Sequence, residues 1–503
     1  REHAVLARAS AAMKFWLPLC AYFCRWCGVV SAVEDADPVV LGIFGTFTSL
    51  TQYDLAAAVL FDLDFRKNQN ISVRERFGPP IIELPDLHPD LRIKVQLGTS
   101  HSSKTYGLQT TMDWFLGVNG RERVAGIVGG LFSSVSDVVA SMAEVYEVPQ
   151  VAFGATMAAF SDKTLYPWFS RVSVPDSLQG QAIVEWMDFF AVHSMPFLYT
   201  NEGGTGYSEG LLQVALDIVN LAGQSGRITG IGISFTNDDE RNMQLLLDAN
   251  VKLRETKSKF ICMVLTDSNH IAMSMNALEQ DGMLYGSHQI LATDSFSMFV
   301  FDSSNFRPSR GLPIGFQRFL PISRGPLYPK YLEMLSMMRP EDLYGAAAMA
   351  EYQIDKFRVP LVPALTLQDF LEPNPWSWSA FIVDAAYTFV FAINSLLHAG
   401  YNASEIYGRV LLDEIRRTSF EGITGFVSFS ETADRIGNYH LWNALEEGGD
   451  LTAVAIWNFA FPKNFMFYNY SSAGVTWVDG SVGKSAPAAL VACAPGQRWD
   501  EFA

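Results

Sequence analysis

The stretch Val124-Ala125-Gly126-Ile127-Val128-Gly129-Gly130-Leu131-Phe132-Ser133-Ser134 decides the fold. It opens as a short apolar run, which reads as a buried strand, and breaks at a glycine pair. Val135, Val138, Val139, Met142 and Tyr146 follow at the i, i+3, i+4, i+7, i+11 spacing of an amphipathic helix. Val148-Pro149-Gln150-Val151-Ala152-Phe153 reads as the next strand. The unit is therefore strand, helix, strand, the signature of a parallel sheet.

The same alternation extends in both directions. Residues 39–43 read as a strand, 53–65 as a helix and 91–97 as a strand. A second series begins after about residue 180, with strands at 196–200, 228–234, 260–265 and 288–292 and helical stretches such as 241–254 between them. Two doubly wound lobes result, and residues 301–329, richer in Pro, Gly, Ser and Arg, suit a crossing between them.

Composition agrees. The chain has 503 residues, 49% hydrophobic and 18% charged, enough for a sizeable core in two or more domains. A formal charge of −17 disfavours nucleic acid or an anionic membrane surface as the main partner. Three of the five cysteines, Cys20, Cys24 and Cys27, lie near the N-terminus, and only Cys262 and Cys493 remain for the rest. That number is too small for a disulfide scaffold or a cysteine-based zinc site.

The first residue is Arg1, and Met13 reads as the initiator of a signal peptide over residues 13–32. Its apolar stretch runs over residues 15–24, and Val30-Ser31-Ala32 supplies the small residues of a cleavage site. Asn70, Asn402 and Asn469 begin glycosylation sequons, compatible with secretion. No later stretch reads as a membrane span, because the most apolar one, residues 380–397, carries Asp384 and Asn394.

Site chemistry is read from the strand ends. Gly129 to Ser134 lies between a strand and a helix, where open α/β sheets bind ligands. Ser134-Val135-Ser136-Asp137 has capping-box spacing, so N–H groups and the Ser133 hydroxyl would face the space above the sheet and suit a carboxylate. The same serines would also serve as plain helix caps. Two further strand ends offer Gly154-Ala155-Thr156 and Val174-Pro175-Asp176 to the same crevice. Ser133, Thr156 and Asp176 together complement a zwitterion: the helix start takes its carboxylate, and Thr156 and Asp176 take its ammonium.

Other motifs fail. Gly480-Ser481-Val482-Gly483-Lys484-Ser485 ends like a phosphate-binding loop, but Val478 stands where its first glycine is required. Neither a His-Glu-x-x-His zinc motif nor a Gly-x-Ser-x-Gly nucleophile elbow is present. Nothing argues for catalysis, and no cofactor or metal is expected.

The segments Val148 to Thr156, Ser161-Asp162-Lys163-Thr164-Leu165-Tyr166-Pro167-Trp168-Phe169-Ser170-Arg171 and Val174-Pro175-Asp176-Ser177-Leu178-Gln179 resemble the ligand-binding ectodomains of class C G-protein-coupled receptors. The likeness is closest to metabotropic glutamate receptors, with some similarity to GABA-B receptors at Ser133-Ser134-Val135-Ser136. Ser419 to Phe429, Asp434-Arg435 and Asn438 to Asn443 are similar to later motifs of the same family, so the resemblance spans residues 37–480. It implies an α/β, bilobed Venus flytrap of the type I periplasmic-binding-protein kind, which binds a ligand between its lobes and signals by closing. Lobe 1 would hold residues 36–175 and 316–436, and lobe 2 residues 176–315 and 437–480. Residues 481–503, with Cys493, would start a downstream cysteine-rich segment.

Carried over by position, the resemblance gives Ser133 to the ligand carboxylate, with Ser134 beside it a further ligand-binding candidate, and Thr156 and Asp176 to its amino group. Asp294 would approach that group from lobe 2 on closure. Gly154 stands where the family has a serine that acts partly through its backbone N–H. The family's stacking tyrosine falls at Thr205 by simple alignment and at Tyr207 after a two-residue slip. A distal-carboxylate clamp is missing from residues 42–65, which contain no Lys or Arg, and the second clamp lysine aligns at Val410, beside Arg409. A second carboxylate buried without a cation would cost several kcal/mol. A neutral or aromatic amino acid, or a related amine, is therefore expected rather than glutamate.

The implied function is the sensor of a membrane receptor on the extracellular side of the plasma membrane, anchored by sequence beyond Ala503. It would form a homo- or heterodimer through lobe 1. The ectodomain of a receptor guanylate cyclase, a soluble amino-acid-binding protein of a transport system and an unliganded dimerisation module are the alternatives.

Overall fold

The computed structural model describes residues 37–45, 52–100, 102–202, 206–338, 378–460 and 465–491. The signal-peptide stretch and Cys493 lie outside the described residues. In chain order, lobe 1 begins with β1 (Val39–Gly45), α1 (Gln52–Gln69), β2 (Ile93–Thr99), α2 (Lys104–Leu116), β3 (Gly126–Val128), α3 (Ser133–Tyr146), β4 (Gln150–Ala152) and β5 (Phe169–Arg171). The five strands form one parallel sheet in the order β2-β1-β3-β4-β5.

Lobe 2 opens with α4 (Asp176–Phe189), β6 (Met195–Thr200), α5 (Tyr207–Leu221), β7 (Ile228–Ile233), α6 (Asp239–Glu255), β8 (Phe260–Val264), α7 (Ser268–Gln280), β9 (Gln289–Ala292) and β10 (Gln317–Pro321). The chain returns to lobe 1 for α8 (Tyr328–Met337), α9 (Ser379–His398), α10 (Gly408–Arg417) and the hairpin β11 (Phe420–Gly422) and β12 (Gly425–Val427). It then re-enters lobe 2 through β13 (Tyr439–Ala444), β14 (Leu451–Trp457), β15 (Phe465–Phe467), β16 (Val475–Thr476) and β17 (Val482–Gly483). The lobe 2 sheet runs β15-β14-β13-β10-β9-β8-β6-β7, parallel from β7 to β10 and antiparallel beyond.

The architecture is the expected pair of doubly wound lobes, with two refinements at the boundaries. Residue 316 does not open the return to lobe 1. β10 pairs in register with β9, Gln317 to Leu291 and Arg318 to Ala292, and Phe319 is buried in the lobe 2 core, so the crossing falls at residues 322–327. Lobe 2 also continues past residue 480, because β17 pairs with β16 and Leu490 packs into the same core.

Alternation along the strands explains the layering. In β1, Leu41 and Ile43 face a core built with α1, α8, α9 and α10, whereas Phe44 faces Trp114 of α2 and Val135 and Val139 of α3. α9 is long and apolar enough to cross a membrane, but most of it is buried inside lobe 1. Its Asp384 accepts hydrogen bonds from the N–H groups of Ile423 (2.7 Å) and Thr424 (3.0 Å) and faces Arg435 at 3.8 Å. That buried charge pins the hairpin to the helix.

Three segments cross between the lobes and lie side by side. Arg435 N–H donates to the Arg171 carbonyl (3.1 Å), and Ile322 N–H to the Asn438 carbonyl (3.0 Å). In each lobe the strand order reverses beside its first strand, between β1 and β3 in lobe 1 and between β6 and β8 in lobe 2. Ligands of open α/β sheets sit outside the strand carboxyl ends at such reversals.

Candidate functional site

Strand ends from both lobes converge at these reversals. Gly129 leaves β3 with φ +135, and a Cβ there would lie 2.6 Å from the Phe44 carbonyl oxygen, so only glycine fits beside β1. α3 then starts at Ser133 with Phe132 as its N-cap residue and no side-chain cap. The capping box expected from Ser134 to Asp137 does not form. Ser136 Oγ accepts the Gly130 N–H (3.1 Å), and Asp137 Oδ1 accepts the Tyr166 hydroxyl (2.8 Å), so tertiary partners claim both side chains. Ser133 is buried, and its Oγ accepts the Met157 N–H (3.2 Å), leaving its own proton to donate. Ser134 is half-buried in the same first turn, where the Val135 and Ser136 N–H groups donate to the Phe132 carbonyl (3.1 and 3.0 Å).

Gly154 plays a different part from the one expected. Its N–H donates to the Gly130 carbonyl (3.3 Å), so it is not free for a ligand. A Cβ at this position would lie 2.6 Å from Leu131 Cδ1 and 3.0 Å from the Leu131 carbonyl oxygen. The glycine lets β4 close against the β3 turn.

Thr156 and Asp176 do meet. The Asp176 N–H donates to the Thr156 carbonyl (2.8 Å), and both side chains are buried. Asp176 is the first residue of α4, where the helix dipole favours an anion. Even so, neither carboxylate oxygen has a well-formed hydrogen bond. Burial, then the neighbouring Asp294 and Glu202 charges, push its pKa well up, against the opposing pull of Arg171 and the Thr156 hydroxyl.

Asp294 follows β9 and is also buried. Its Oδ1 accepts the Tyr207 hydroxyl at 2.7 Å, and its Oδ2 is unpartnered. Burial raises it to about 6, while hydrogen bonds from Tyr207 and Gln179 and the charge of Arg318 act the other way. Tyr207, the first residue of α5, is thus the tyrosine that joins the site, and Thr205 lies outside the described residues. Glu202 caps the same helix, its Oε2 accepting the Ser208 N–H at 2.9 Å.

The cations nearby are already engaged. Arg171 Nε contacts Asp434 Oδ1 at 2.6 Å, and its other nitrogens donate to the Ala155 (3.2 Å) and Met157 (2.8 Å) carbonyls and to Ser161 Oγ (2.8 Å). Arg318 donates to the Phe296 carbonyl (2.6 Å) and lies 5.6 Å from the Phe296 and Trp442 rings. Lys104, at the start of α2, is exposed and near enough to favour the Glu202 carboxylate.

Arg409 does not reach this site. It is exposed on α10 and pairs with Asp413 at 2.8 Å. Gly408 beside it lines a cavity of 410 Å³ with Val39, Val124 and Val148, at the amino ends of the lobe 1 strands, opposite to Ser133. The helical periodicity of α10 turns this arginine to solvent.

Sequence reasoning missed four contributors: Gln179, Glu202, Arg318 and Tyr439. Gln179 lies one helical turn after Asp176, a signal that i, i+3 spacing could have found. Tyr439 is buried on β13 with an unpartnered hydroxyl, in the field of Asp176, Asp294 and Arg171. No local pattern marks it or Arg318, because each enters through its strand's place in the sheet.

A family described as the receptor family ligand binding region matches residues 82–446. Metabotropic glutamate receptor 6 of Oryctolagus cuniculus is 24% identical over 74% of this chain and 47% of its own length. Metabotropic glutamate receptor 8 of Homo sapiens is 23% identical over 71% of this chain and 42% of its own. The chain spans less than half the length of these curated relatives.

Proposed function

The chain belongs to the receptor family ligand-binding region, like the class C receptor ectodomains it resembles, and from that premise we propose that it is an extracellular sensor gripping a small amine-bearing ligand between its lobes. The observation that carries this reading is that Asp176 and Asp294 are both buried and, among the described residues, neither carboxylate has an ion-pair partner in contact, Arg171 and Arg318 acting on them only at longer range. Such a pocket stabilises a cation. An ammonium group there would hydrogen-bond to Asp176, Asp294 and the Thr156 hydroxyl. The Ser133 hydroxyl and the Ser133 and Ser134 N–H groups at the α3 start suit an adjacent carboxylate.

The two receptors above are named for glutamate, but a distal carboxylate would find little here. Residues 42–65 contain no base, Arg409 faces solvent, and Lys104 is already near Glu202. A neutral or aromatic amino acid, or a related amine, fits better. Ligand would dock on lobe 1 and favour closure through its contacts to Asp294 and Tyr207, since a ligand shifts an equilibrium only by its preference for one state. Exposed Leu116, Val145 and Tyr146 on α2 and α3 support dimerisation through lobe 1.

A thermal-shift screen of the purified chain over amino acids and amines tests the reading. Neutral or aromatic amino acids, or amines, should raise the melting temperature, and Asp176→Ala should weaken that binding by about 1.5–3 kcal/mol. Stabilisation by glutamate alone among the common amino acids, or unchanged affinity in Asp176→Ala, would overturn it.

A further inference from the structure

We propose that Lys163 and Arg416 form a binding site on lobe 1 for a small oxyanion of the sulfate or phosphate class. The site is separate from the amino-group pocket, and its test needs no amine.

The two cations come from different elements and meet at one oxygen. Lys163, in the loop between β4 and β5, donates through Nζ to the Phe160 (2.6 Å) and Phe169 (3.0 Å) carbonyls. Arg416, in the last turn of α10, donates through Nη2 to the Pro167 (2.7 Å) and Phe169 (3.3 Å) carbonyls. The Phe169 carbonyl thus holds both, and the Phe169 ring lies 5.3 Å from the Lys163 ammonium. Both side chains are half-buried, so the pair is fixed in place yet reachable from solvent. Carbonyl anchoring explains how each cation is positioned. It leaves the repulsion between two like charges uncompensated.

Among the described residues neither cation is in an ion pair, and the carboxylates that act on them are claimed by other groups. Asp434 pairs with Arg171 at 2.6 Å and Asp413 with Arg409 at 2.8 Å. Asp162 is exposed and accepts the Thr164 N–H (2.8 Å) and hydroxyl (2.7 Å). Arg171 and Arg409 add positive charge from β5 and α10. Burial, reinforced by Arg171 and Arg416, pushes Lys163 down to about 7 against the pull of Asp434 and Asp162. An anion beside it would restore its charge.

The donors left over set the class of ligand. Lys163 has three N–H donors and spends two on carbonyls. Arg416 spends Nη2, and its Nε is buried with no acceptor, which leaves Nη1 to face a ligand. An ammonium and a guanidinium around one point suit an anion with several acceptor oxygens, which both can hold at once.

Equilibrium dialysis of the purified chain against radiolabelled sulfate tests the site. Wild type should bind sulfate saturably, with a Kd of about 1 mM or tighter at about pH 7. Lys163→Gln and Arg416→Gln should each weaken binding by about tenfold or more. Sulfate keeps its double charge from about pH 7 to about pH 8.5 while unliganded Lys163 loses its proton, so wild-type affinity should fall by up to about tenfold per pH unit. Lys163→Arg, charged throughout, should bind without that slope. No saturable sulfate binding, unchanged affinity in both Gln variants, a pH-independent wild type, or chloride competing as well as unlabelled sulfate at equal ionic strength would overturn the inference. The wild-type pH series decides alone if the variants do not fold. A purely structural role for the two cations would cost the variants stability with no sulfate bound by wild type.

Discussion

Asp434 and Asp176 are two buried carboxylates that both feel Arg171, and they are held in opposite states. Burial alone would raise Asp434, but the Arg171 guanidinium and the Ser161 hydroxyl outweigh it and hold its carboxyl below the usual range. Burial and then Asp294 raise Asp176, and the same guanidinium, already engaged, cannot compensate. Burial sets the penalty for a charge, and the assigned partner decides whether it is met. Asp434 is therefore a structural fastening between two crossing segments. Asp176 has no such fastening, and the proposed reading gives it the ligand's amino group.

The largest way to break this contrast is to remove the shared cation. Arg171→Met should leave Asp434 buried and unpaired, free the Ala155 and Met157 carbonyls, and destabilise the chain by about 3–5 kcal/mol in a denaturant titration. A loss below about 1 kcal/mol would mean that the buried pair is no fastening.

The opposite sign is expected at the start of α4. Asp176→Asn should raise stability at neutral pH by about 0.5–2 kcal/mol, as happens when a strained functional group is relieved, while weakening ligand binding. The pH dependence follows from the direction of the shift. A carboxyl whose folded pKa lies above its unfolded one binds its proton more tightly when folded, so its contribution grows as pH falls through the folded value, about 6 for Asp294, toward the unfolded 3.8. The advantage of Asp176→Asn should thus shrink on mild acidification, as wild type neutralises the pair itself. Thermal melts across that range check both statements, and an Asn variant less stable than wild type at neutral pH would contradict the contrast.

Much of this was legible in the sequence because strand carboxyl ends carry their own markers. Apolar runs closed by Gly129 and Ser133, Gly154 and Thr156, and Val174 and Asp176 place those residues at one sheet edge whatever the rest of the chain does. The errors arose where a local pattern was claimed by a distant partner. Ser134 and Asp137 have capping spacing, yet Tyr166 takes Asp137 and Gly130 takes the neighbouring Ser136, and Gly154 uses its N–H on Gly130. Tyr439 and Arg318 depend on β10 and β13 lying side by side, with Pro321 opposite Tyr439, a register set by chain crossings more than a hundred residues apart. Their polarity has no periodicity that a window could detect.

Arg409 supplies the smallest effect and sharpens the contrast from its other side. The Arg409–Asp413 pair is formed, at 2.8 Å, but the arginine side chain is 64% exposed, so water already stabilises both charges and an i, i+4 pair of this kind contributes about 0.3–0.5 kcal/mol. Arg409→Ala should lower stability by no more than that and leave ligand affinity unchanged, because the side chain lies at the amino ends of the lobe 1 strands and not at Ser133. A clear loss of ligand affinity in this variant, read in the same thermal-shift screen, would return a distal anion clamp to the site and with it a dicarboxylate ligand. Unchanged affinity would leave the cleft selective through its buried carboxylates: a site that recognises the amino end of a ligand by negative charge and, among the described residues, has no basic residue set aside to hold a second acidic group.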